Sequence, residues 1–96
     1  KTITAPGQLT SHYAPWATVR INAVNTSPEE VMLGFGPMES DLNLSIAGNL
    51  IEAAANLFGH LHHLDRLRRP IAVAPVPEIG LGHAINDRLK RAAALR

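Results

Sequence analysis

The sequence predicts a small α/β sandwich with parallel strand pairing around its last strand, preceded by an extended arm. Three observations lead to this prediction. Residues 49–68 repeat apolar side chains at three- and four-residue steps, as an amphipathic helix does. Residues 71–76 (IAVAPV) form the continuous apolar segment typical of a strand buried on both faces. Residues 5–15 contain two prolines and no apolar periodicity, which favours an extended segment.

The arm over residues 5–15 (APGQLTSHYAP) has the chemistry of a segment that lies across a partner surface. Pro6 and Pro15 fix their own φ angles, and Pro15 also pushes the preceding residue into an extended conformation. Three side chains between the prolines can donate or accept hydrogen bonds: Ser11, His12 and Tyr13. Because the chain starts at Lys1 rather than Met, we expect it to be the C-terminal part of a longer protein that begins inside a linker.

Three short strand segments are predicted before the first helix: residues 18–24, residues 31–35 and a brief edge strand over residues 42–45. The first alternates and is rich in β-branched residues, and the second is a buried apolar run. Between them, Ser27 followed by Pro28 and two acids predicts a single turn of helix. The gap between the first two strands is short for a parallel crossover, so their pairing direction stays open.

The first helix is predicted to start after Gly48 or Asn49 as its cap and to end before Pro70. Its expected buried face consists of Leu50, Ala53, Ala54, Leu57, Phe58, Leu61, Leu64 and Leu67. The second helix is predicted over residues 83–94, after the strand at residues 71–76 and a glycine-containing loop. Its expected inward residues are Ala84, Ile85, Leu89, Ala92 and Ala93.

The composition limits the function classes. Ninety-six residues with 46% hydrophobic and 4% aromatic content predict one globular domain with an aliphatic core. No apolar stretch is long enough to span a bilayer. The absence of cysteine excludes disulfides, thiolate metal sites and cysteine nucleophiles, and it is compatible with a cytoplasmic location.

The basic residues lie mainly in the second half, where seven Lys and Arg residues follow His60 against three acids. This distribution is expected if cations favour the last turns of two helices. Contact with RNA or phosphate is the alternative interpretation. It would use the surface of Arg66, Arg68, Arg69, Arg88, Lys90 and Arg91.

Two further motifs have residue types that occur in ligand sites. His60, His62 and His63 suggest a metal site, but on a helix only positions 60 and 63 share a face, so no metal is predicted. The loop that contains Glu78, Gly80 and Gly82 precedes a helix, as a phosphate-binding loop does. It lacks a third glycine and the P-loop lysine, so tight strand-to-helix geometry is the preferred explanation and a secondary ligand the alternative.

The arm and the two helices together resemble the C-terminal region of long-form threonylcarbamoyl-AMP synthases. In that family, an interdomain linker ending in His-Tyr-Ala-Pro leads into a small Rossmann-like domain with two characteristic helices. The matching positions are His12, Tyr13, Ala14 and Pro15 in the arm, Ala53, Leu57, Phe58, Leu61 and Asp65 in the first helix, and Gly80, Gly82, Asn86, Arg88 and Leu89 in the second.

The resemblance implies a linker over residues 1–17 and a Rossmann-like three-layer sandwich over residues 18–96, with the catalytic domain outside this chain. The implied enzyme is a nucleotidyltransferase that condenses L-threonine, bicarbonate and ATP, with Mg, to threonylcarbamoyl-AMP and pyrophosphate. The threonylcarbamoyl group is then transferred to adenosine in tRNA. This chain alone would bind no cofactor and would contain no catalytic residue.

By the same resemblance, the linker folds over the nucleotide site of the catalytic domain as a lid, with Ser11, His12 and Tyr13 as the lid residues. The catalytic domain of the same protein would be the main partner, and tRNA would be contacted only indirectly or weakly. Two alternatives stay open. One is an RNA- or protein-binding module that uses the basic surface, and the other is a small nucleotide-sensing domain.

Overall fold

A computed structural model of the protein describes residues 17–94. Their four short strands are β1 (Val19–Arg20), β2 (Val31–Gly34), β3 (Leu42–Asn43) and β4 (Ile71–Val73). Two helices follow the later strands, α1 (Leu50–Asp65) after β3 and α2 (Leu81–Ala94) after β4. Within this part of the chain, no helix has both the length and the apolar character needed to cross a membrane.

The four strands form one parallel sheet in the order β1-β4-β2-β3. Strand β4 pairs with β1 through Val19 and Ile71 and with β2 through Val31 and Ile71. The α/β class and the parallel pairing around the last strand are therefore confirmed. Strands β1 and β2 are not adjacent in the sheet, because β4 lies between them. The short segment that joins them is therefore not a crossover between two paired strands.

Both helices pack on one face of the sheet. Alternate residues of β2 and β4 share one hydrophobic core with the buried residues of α1 and α2. The fully buried members with the largest side chains are Leu33, Leu44, Leu64, Ile71, Ile85 and Leu89. Since α1 and α2 each follow a strand and return across the sheet, both begin at the carboxyl edge, where the strands end. Leu50 of α1 accordingly lies beside Gly82 of α2.

The opposite face of the sheet is covered by loop residues in the described part of the chain. A second, smaller core joins Met32 and Ala72 to Ala23, with Phe35 packed against it. Ala23 reaches this position because its N–H donates to the carbonyl oxygen of Val73 at 2.8 Å. The layers are thus two helices, the sheet and a covering of loops.

Strand β1 is shorter than the alternating pattern over residues 18–24 predicts. Asn22 has a φ of 56°, in the left-handed region that asparagine tolerates better than most residues. This residue turns the chain and ends the strand after Arg20, although Ala23 then rejoins β4 through its hydrogen bond. A left-handed asparagine inside an alternating segment gives no signal in the hydrophobic pattern.

Helix α1 starts where its capping chemistry predicts. The Asn49 side chain accepts a hydrogen bond from the N–H of Glu52, so Asn49 is the N-cap. The buried face was predicted too broadly, because Phe58 is 56% exposed and Leu67 is 49% exposed. Phe58 lies on the flank of the helix, and Leu67 lies beyond its last residue, Asp65.

Helix α2 begins two residues earlier than predicted, at Leu81. Ile85, Leu89 and Ala92 are buried as expected, whereas Ala84 is exposed and that prediction is wrong. The face includes instead Gly82 and the polar residue Asn86. The Asn86 side-chain amide donates to the carbonyl oxygen of Val76 at 2.9 Å, which explains how a polar side chain is accommodated there.

Candidate site where the arm joins the folded domain

The described chain begins at the amino edge of the sheet, where the parallel strands start. Ala17 lies two residues before β1, and α1 ends at this same edge, six residues before β4 begins. The predicted lid residues Ser11, His12 and Tyr13 lie outside the described residues. The site that the structure does define is therefore the attachment of the arm to the domain.

A buried carboxylate makes this attachment. The backbone N–H of Ala17 donates to Oδ1 of Asp65 at 2.8 Å, across 48 positions of sequence. Asp65 is the last residue of α1 and is only 6% exposed. At 2.8 Å, this contact lies within the ordinary range of an N–H···O hydrogen bond.

The next residue, Thr18, is also hydrogen-bonded to the folded domain. The carbonyl oxygen of Thr18 accepts from the N–H of Ile71 at 2.8 Å, which aligns β1 with β4. Ala17 and Thr18 are therefore held by two different elements, the end of α1 and strand β4.

The neighbouring loop at this edge is cross-linked by two arginines. The Arg69 guanidinium donates to the carbonyl oxygens of Pro28 and Glu29 at 2.9 and 2.8 Å. Arg20 binds the Glu30 carboxylate with two hydrogen bonds, of 2.8 and 2.9 Å. Such charged and backbone contacts hold the loop over residues 25–30 against the strands.

The pairing of Arg20 with Glu30 changes the acid–base behaviour of both groups. The hydrogen bond from Arg20 lowers the pKa of Glu30 to about 2, helped by a bond from the backbone N–H of Ser27 at 2.9 Å. The same hydrogen bond raises the pKa of Arg20. Ser27 and Glu30 also close the predicted turn, since the N–H of Glu30 donates to the carbonyl oxygen of Ser27 at 3.1 Å.

The second predicted site, the loop with Glu78, Gly80 and Gly82, lies at the opposite, carboxyl edge. Gly80 has a φ of 50°, which favours glycine. A Cβ on residue 82 would collide with the backbone carbonyl of Pro77. The close approach of Pro77 requires glycine at position 82, and the φ of Gly80 favours glycine, so the tight-geometry explanation accounts for both.

The carboxylate of Glu78 stands close to the first turns of α2. Its oxygens contact Nδ1 of His83 at 3.0 Å and Nζ of Lys90 at 3.7 Å. Since the N-terminus of a helix attracts anions, an acidic side chain placed there competes with a bound phosphate. The structure brings Glu78, Gly80 and Gly82 together, and the arrangement fits a self-contained turn.

The histidines of α1 are spread over different surroundings. His60 is half-buried, and its Nε2 lies 3.1 Å from the carbonyl oxygen of Asn43. His62 stacks on Phe58, with ring centroids 6.3 Å apart, and His63 is exposed. Among residues 17–94, no three His, Asp or Glu side chains are placed to hold a metal ion.

The basic residues of the second half are in part engaged within the domain. Arg69 donates to the backbone of the loop over residues 25–30, Lys90 contacts Glu78, and Arg91 pairs with Asp87 at 3.0 Å. These contacts agree with the interpretation of the cations as helix-end and surface charges. Because these contacts neutralise or occupy part of the basic side chains, the positive charge on the surface is less concentrated than the number of Lys and Arg residues predicts.

Two buried polar residues make hydrogen bonds to distant segments of the chain, with Asp65 accepting from Ala17 and Asn86 donating to Val76. Neither was among the site residues predicted from the sequence. Asp65 and Asn86 each occur in the matching positions of the resemblance, and both are buried in the structure. The available signal is positional, since each lies on the apolar stripe of its helix. A polar residue in that place must find a hydrogen-bond partner.

Comparison with known proteins identifies the family of this chain. The family model described as "Threonylcarbamoyl-AMP synthase, C-terminal domain" matches residues 1–94. The chain is also 32% identical, over 113 aligned positions, to the threonylcarbamoyl-AMP synthase of Pyrococcus abyssi (strain GE5 / Orsay). The comparison with solved structures gave no match.

The alignment with the archaeal synthase covers 99% of this chain and 33% of the relative, so the chain spans about a third of that protein's length. The family model covers the arm and the folded domain without a break. On these matches, the chain belongs to the family of threonylcarbamoyl-AMP synthase C-terminal domains.

Proposed function

We propose that this chain is the accessory C-terminal domain of an enzyme that makes threonylcarbamoyl-AMP from L-threonine, bicarbonate and ATP. Residues Ser11, His12 and Tyr13 of its arm would close over the nucleotide site of the catalytic domain. The folded part, from residue 18 onward, anchors the arm. The domain itself performs no bond-making step.

One observation carries this proposal. A single family model covers the arm and the folded domain, and the structure fixes the first described residue of that arm, Ala17, through Asp65. A segment attached at a defined point of a rigid domain can reach a defined place on a neighbouring domain. A loosely attached segment would lose more conformational entropy on closing.

The chemistry explains why such an enzyme needs a lid. Condensation of L-threonine with bicarbonate gives a carbamate, which decomposes in water before ATP can activate it. Closing the site excludes water and holds the carbamate carboxylate near the α-phosphate of ATP. The hydroxyl, imidazole and phenol groups of the arm can donate to phosphate oxygens as the lid closes.

The remaining roles follow from the same proposal. ATP and its Mg²⁺ ion are substrates held by the catalytic domain. The product supplies the threonylcarbamoyl group for tRNA modification in the cytoplasm. This chain would contact tRNA only indirectly or weakly, because the proposed chemistry ends at threonylcarbamoyl-AMP and pyrophosphate.

The test compares arm variants of the whole enzyme. Replacing Ser11, His12 and Tyr13 together by alanine should lower kcat/KM for ATP by roughly 10- to 100-fold, because a misplaced lid no longer holds the reacting groups. Pyrophosphate release in the presence of threonine and bicarbonate is the measurement. His63→Ala is the matched control, since it removes an exposed histidine of α1.

Unchanged kinetics in the triple variant would reject the lid. The nucleotide-sensing alternative is tested separately, by calorimetry of ATP and AMP with the 96-residue chain. A lid without its catalytic domain should bind neither tightly. Tight binding that Glu78→Gln alters would instead favour the loop before α2 as a ligand site.

A further inference from the structure

Four large apolar side chains are exposed at the carboxyl edge of the domain, in the turns before α1 and α2 and in the first turns of these helices. They are Ile46, Ile51, Ile79 and Leu81. Each of them exposes between 44% and 72% of its surface. Apolar residues scattered singly over a protein surface are normal, whereas a group of them at one place marks an interaction site.

The backbone brings these four residues to one place. Leu50 lies 3.7 Å from the position that a Cβ on Gly82 would take, and Ile51 and Leu81 are the chain neighbours of these two residues. The carbonyl oxygen of Ile79 accepts from the N–H of Gly82 at 2.7 Å, which turns the loop toward the same point. The fourth side chain lies in the turn directly before the cap of α1, closed by a backbone hydrogen bond of 3.0 Å. We call these four side chains the carboxyl-edge patch.

The charges around the patch are engaged within the chain. The Ser45 hydroxyl donates to the Glu52 carboxylate, and the Glu78 carboxylate contacts Nζ of Lys90. The amino edge differs, because three arginines follow the end of α1: Arg66, Arg68 and Arg69. Two copies of the domain that met through their amino edges would bring like charges together, which is unfavourable. Two copies that met through the carboxyl-edge patch would bring together apolar surfaces without such repulsion.

We infer that the carboxyl-edge patch is a self-association surface, on which a second copy of this chain docks through the same four residues. Such a contact is isologous, with one two-fold axis, and it closes at the dimer. Ala17, where the arm joins the domain, lies at the opposite edge. Pairing through the carboxyl edges therefore leaves both arms, and whatever they connect to, on the outside of the dimer.

The size of the patch fits this occupant. Its four side chains expose roughly 400 Å² of apolar surface per copy, within the range of patches that carry function on small proteins. A stable interface buries about 800 Å² on each partner, and a little more than half of that area is apolar. The patch thus supplies about the apolar share of one such interface. We expect a weak dimer, with a Kd on the order of 10–100 µM.

The experiment measures the oligomeric state by sedimentation equilibrium, for the 96-residue chain and for the whole enzyme, over roughly 1 to 500 µM protein. Ile51→Glu adds an acid in the first turn of α1, where the helix favours one. Ile79→Ser removes apolar surface without adding a charge. Leu67→Lys is the matched control, since it replaces an exposed apolar side chain at the amino edge by a base that the end of α1 favours. Circular dichroism checks that each variant is folded.

The parent protein should dimerise in both forms. Ile51→Glu should raise Kd by roughly 100-fold or more, because each substitution occurs twice in an isologous contact and adds two like charges. Ile79→Ser should raise Kd roughly tenfold through lost apolar contact. Leu67→Lys should leave Kd within about twofold of the parent value, since the amino edge lies outside the proposed contact.

Three results would overturn the inference. The first is a parent chain that stays monomeric over the whole concentration range. The second is a dimer that Ile51→Glu and Ile79→Ser weaken no more than Leu67→Lys does. The third is a 96-residue chain that dimerises while the whole enzyme stays monomeric, because another part of the same protein would then cover the patch. None of these results bears on the proposed lid, which the arm variants test separately.

Discussion

The backbone carbonyl of Pro77 lies in the space that a side chain on Gly82 would need. A Cβ at position 82 would stand far inside contact distance of that oxygen, and the Leu50 side chain would lie 3.7 Å away. Three segments thus meet at Gly82: the loop after β4, the first turn of α2 and the first turn of α1. This contact joins the two helices at the carboxyl edge and supports the core that holds Asp65 in place at the other end of α1.

The first prediction concerns this contact. Gly82→Ala should lower the free energy of unfolding by about 3 kcal/mol, because a backbone carbonyl cannot move aside as a side chain can. Urea unfolding monitored by circular dichroism measures the change. Gly59→Ala on α1 is the control, since a Cβ there meets open space. It should stabilise the domain by about 0.5–1 kcal/mol through helix propensity. Equal effects of the two substitutions would contradict the proposed crowding at Gly82.

The second prediction concerns the buried amide of α2. Asn86→Ala should cost about 2–3 kcal/mol, since it leaves the carbonyl of the buried residue Val76 without its donor and creates a small cavity. Asn56→Ala removes a similar bond, to the carbonyl of Leu44 at 2.9 Å, from a half-buried position. Because Asn56 is itself less buried than Asn86, removing its side chain leaves a smaller cavity, so its loss should cost less. The difference in urea midpoints between the two variants is the test.

The third prediction concerns the start of α1. Asn49→Ala should cost about 1 kcal/mol, because the N–H of Glu52 loses its acceptor. Asn49→Asp keeps an acceptor and adds a charge that the helix N-terminus favours, so it should be nearly neutral. Thermal unfolding of both variants measures the effect. A destabilised aspartate variant would show that the cap works through some group other than the side-chain oxygen.

Features with a local cause could be predicted from the sequence. Asn49 before an apolar repeat predicted the start of α1, and the continuous apolar run at Ile71 predicted a central strand. Each depends on chemistry within a few residues: a capping oxygen in one case, and burial on both faces in the other. The parallel sheet followed from these elements and the helix between them.

Features that depend on distant partners could not be predicted in this way. Asp65 is buried and accepts a hydrogen bond from Ala17, 48 positions away, and no local pattern reports that contact. Phe58 matches the apolar repeat of α1 but lies on its exposed flank, since the width of a buried stripe is set by the surface it meets. The layer opposite the helices likewise depends on how Ala23 returns to β4.

The last prediction concerns acid stability and the pairing of Glu30 with Arg20. The folded state lowers the pKa of Glu30 from the ordinary value of 4.5 to about 2, chiefly through the hydrogen bond from Arg20. A group with a lowered pKa in the folded state stabilises it above its ordinary pKa, and that contribution is lost as the pH falls through the folded value. The melting temperature should therefore decline between pH 4.5 and 2, and part of this decline should be absent in Glu30→Gln. Arg20→Gln should remove the same part, and the double variant should show no further loss, because both substitutions delete one interaction. An additive double variant would mean that Arg20 and Glu30 act on stability through separate contacts, such as the bond from Arg20 to the carbonyl oxygen of Asn25.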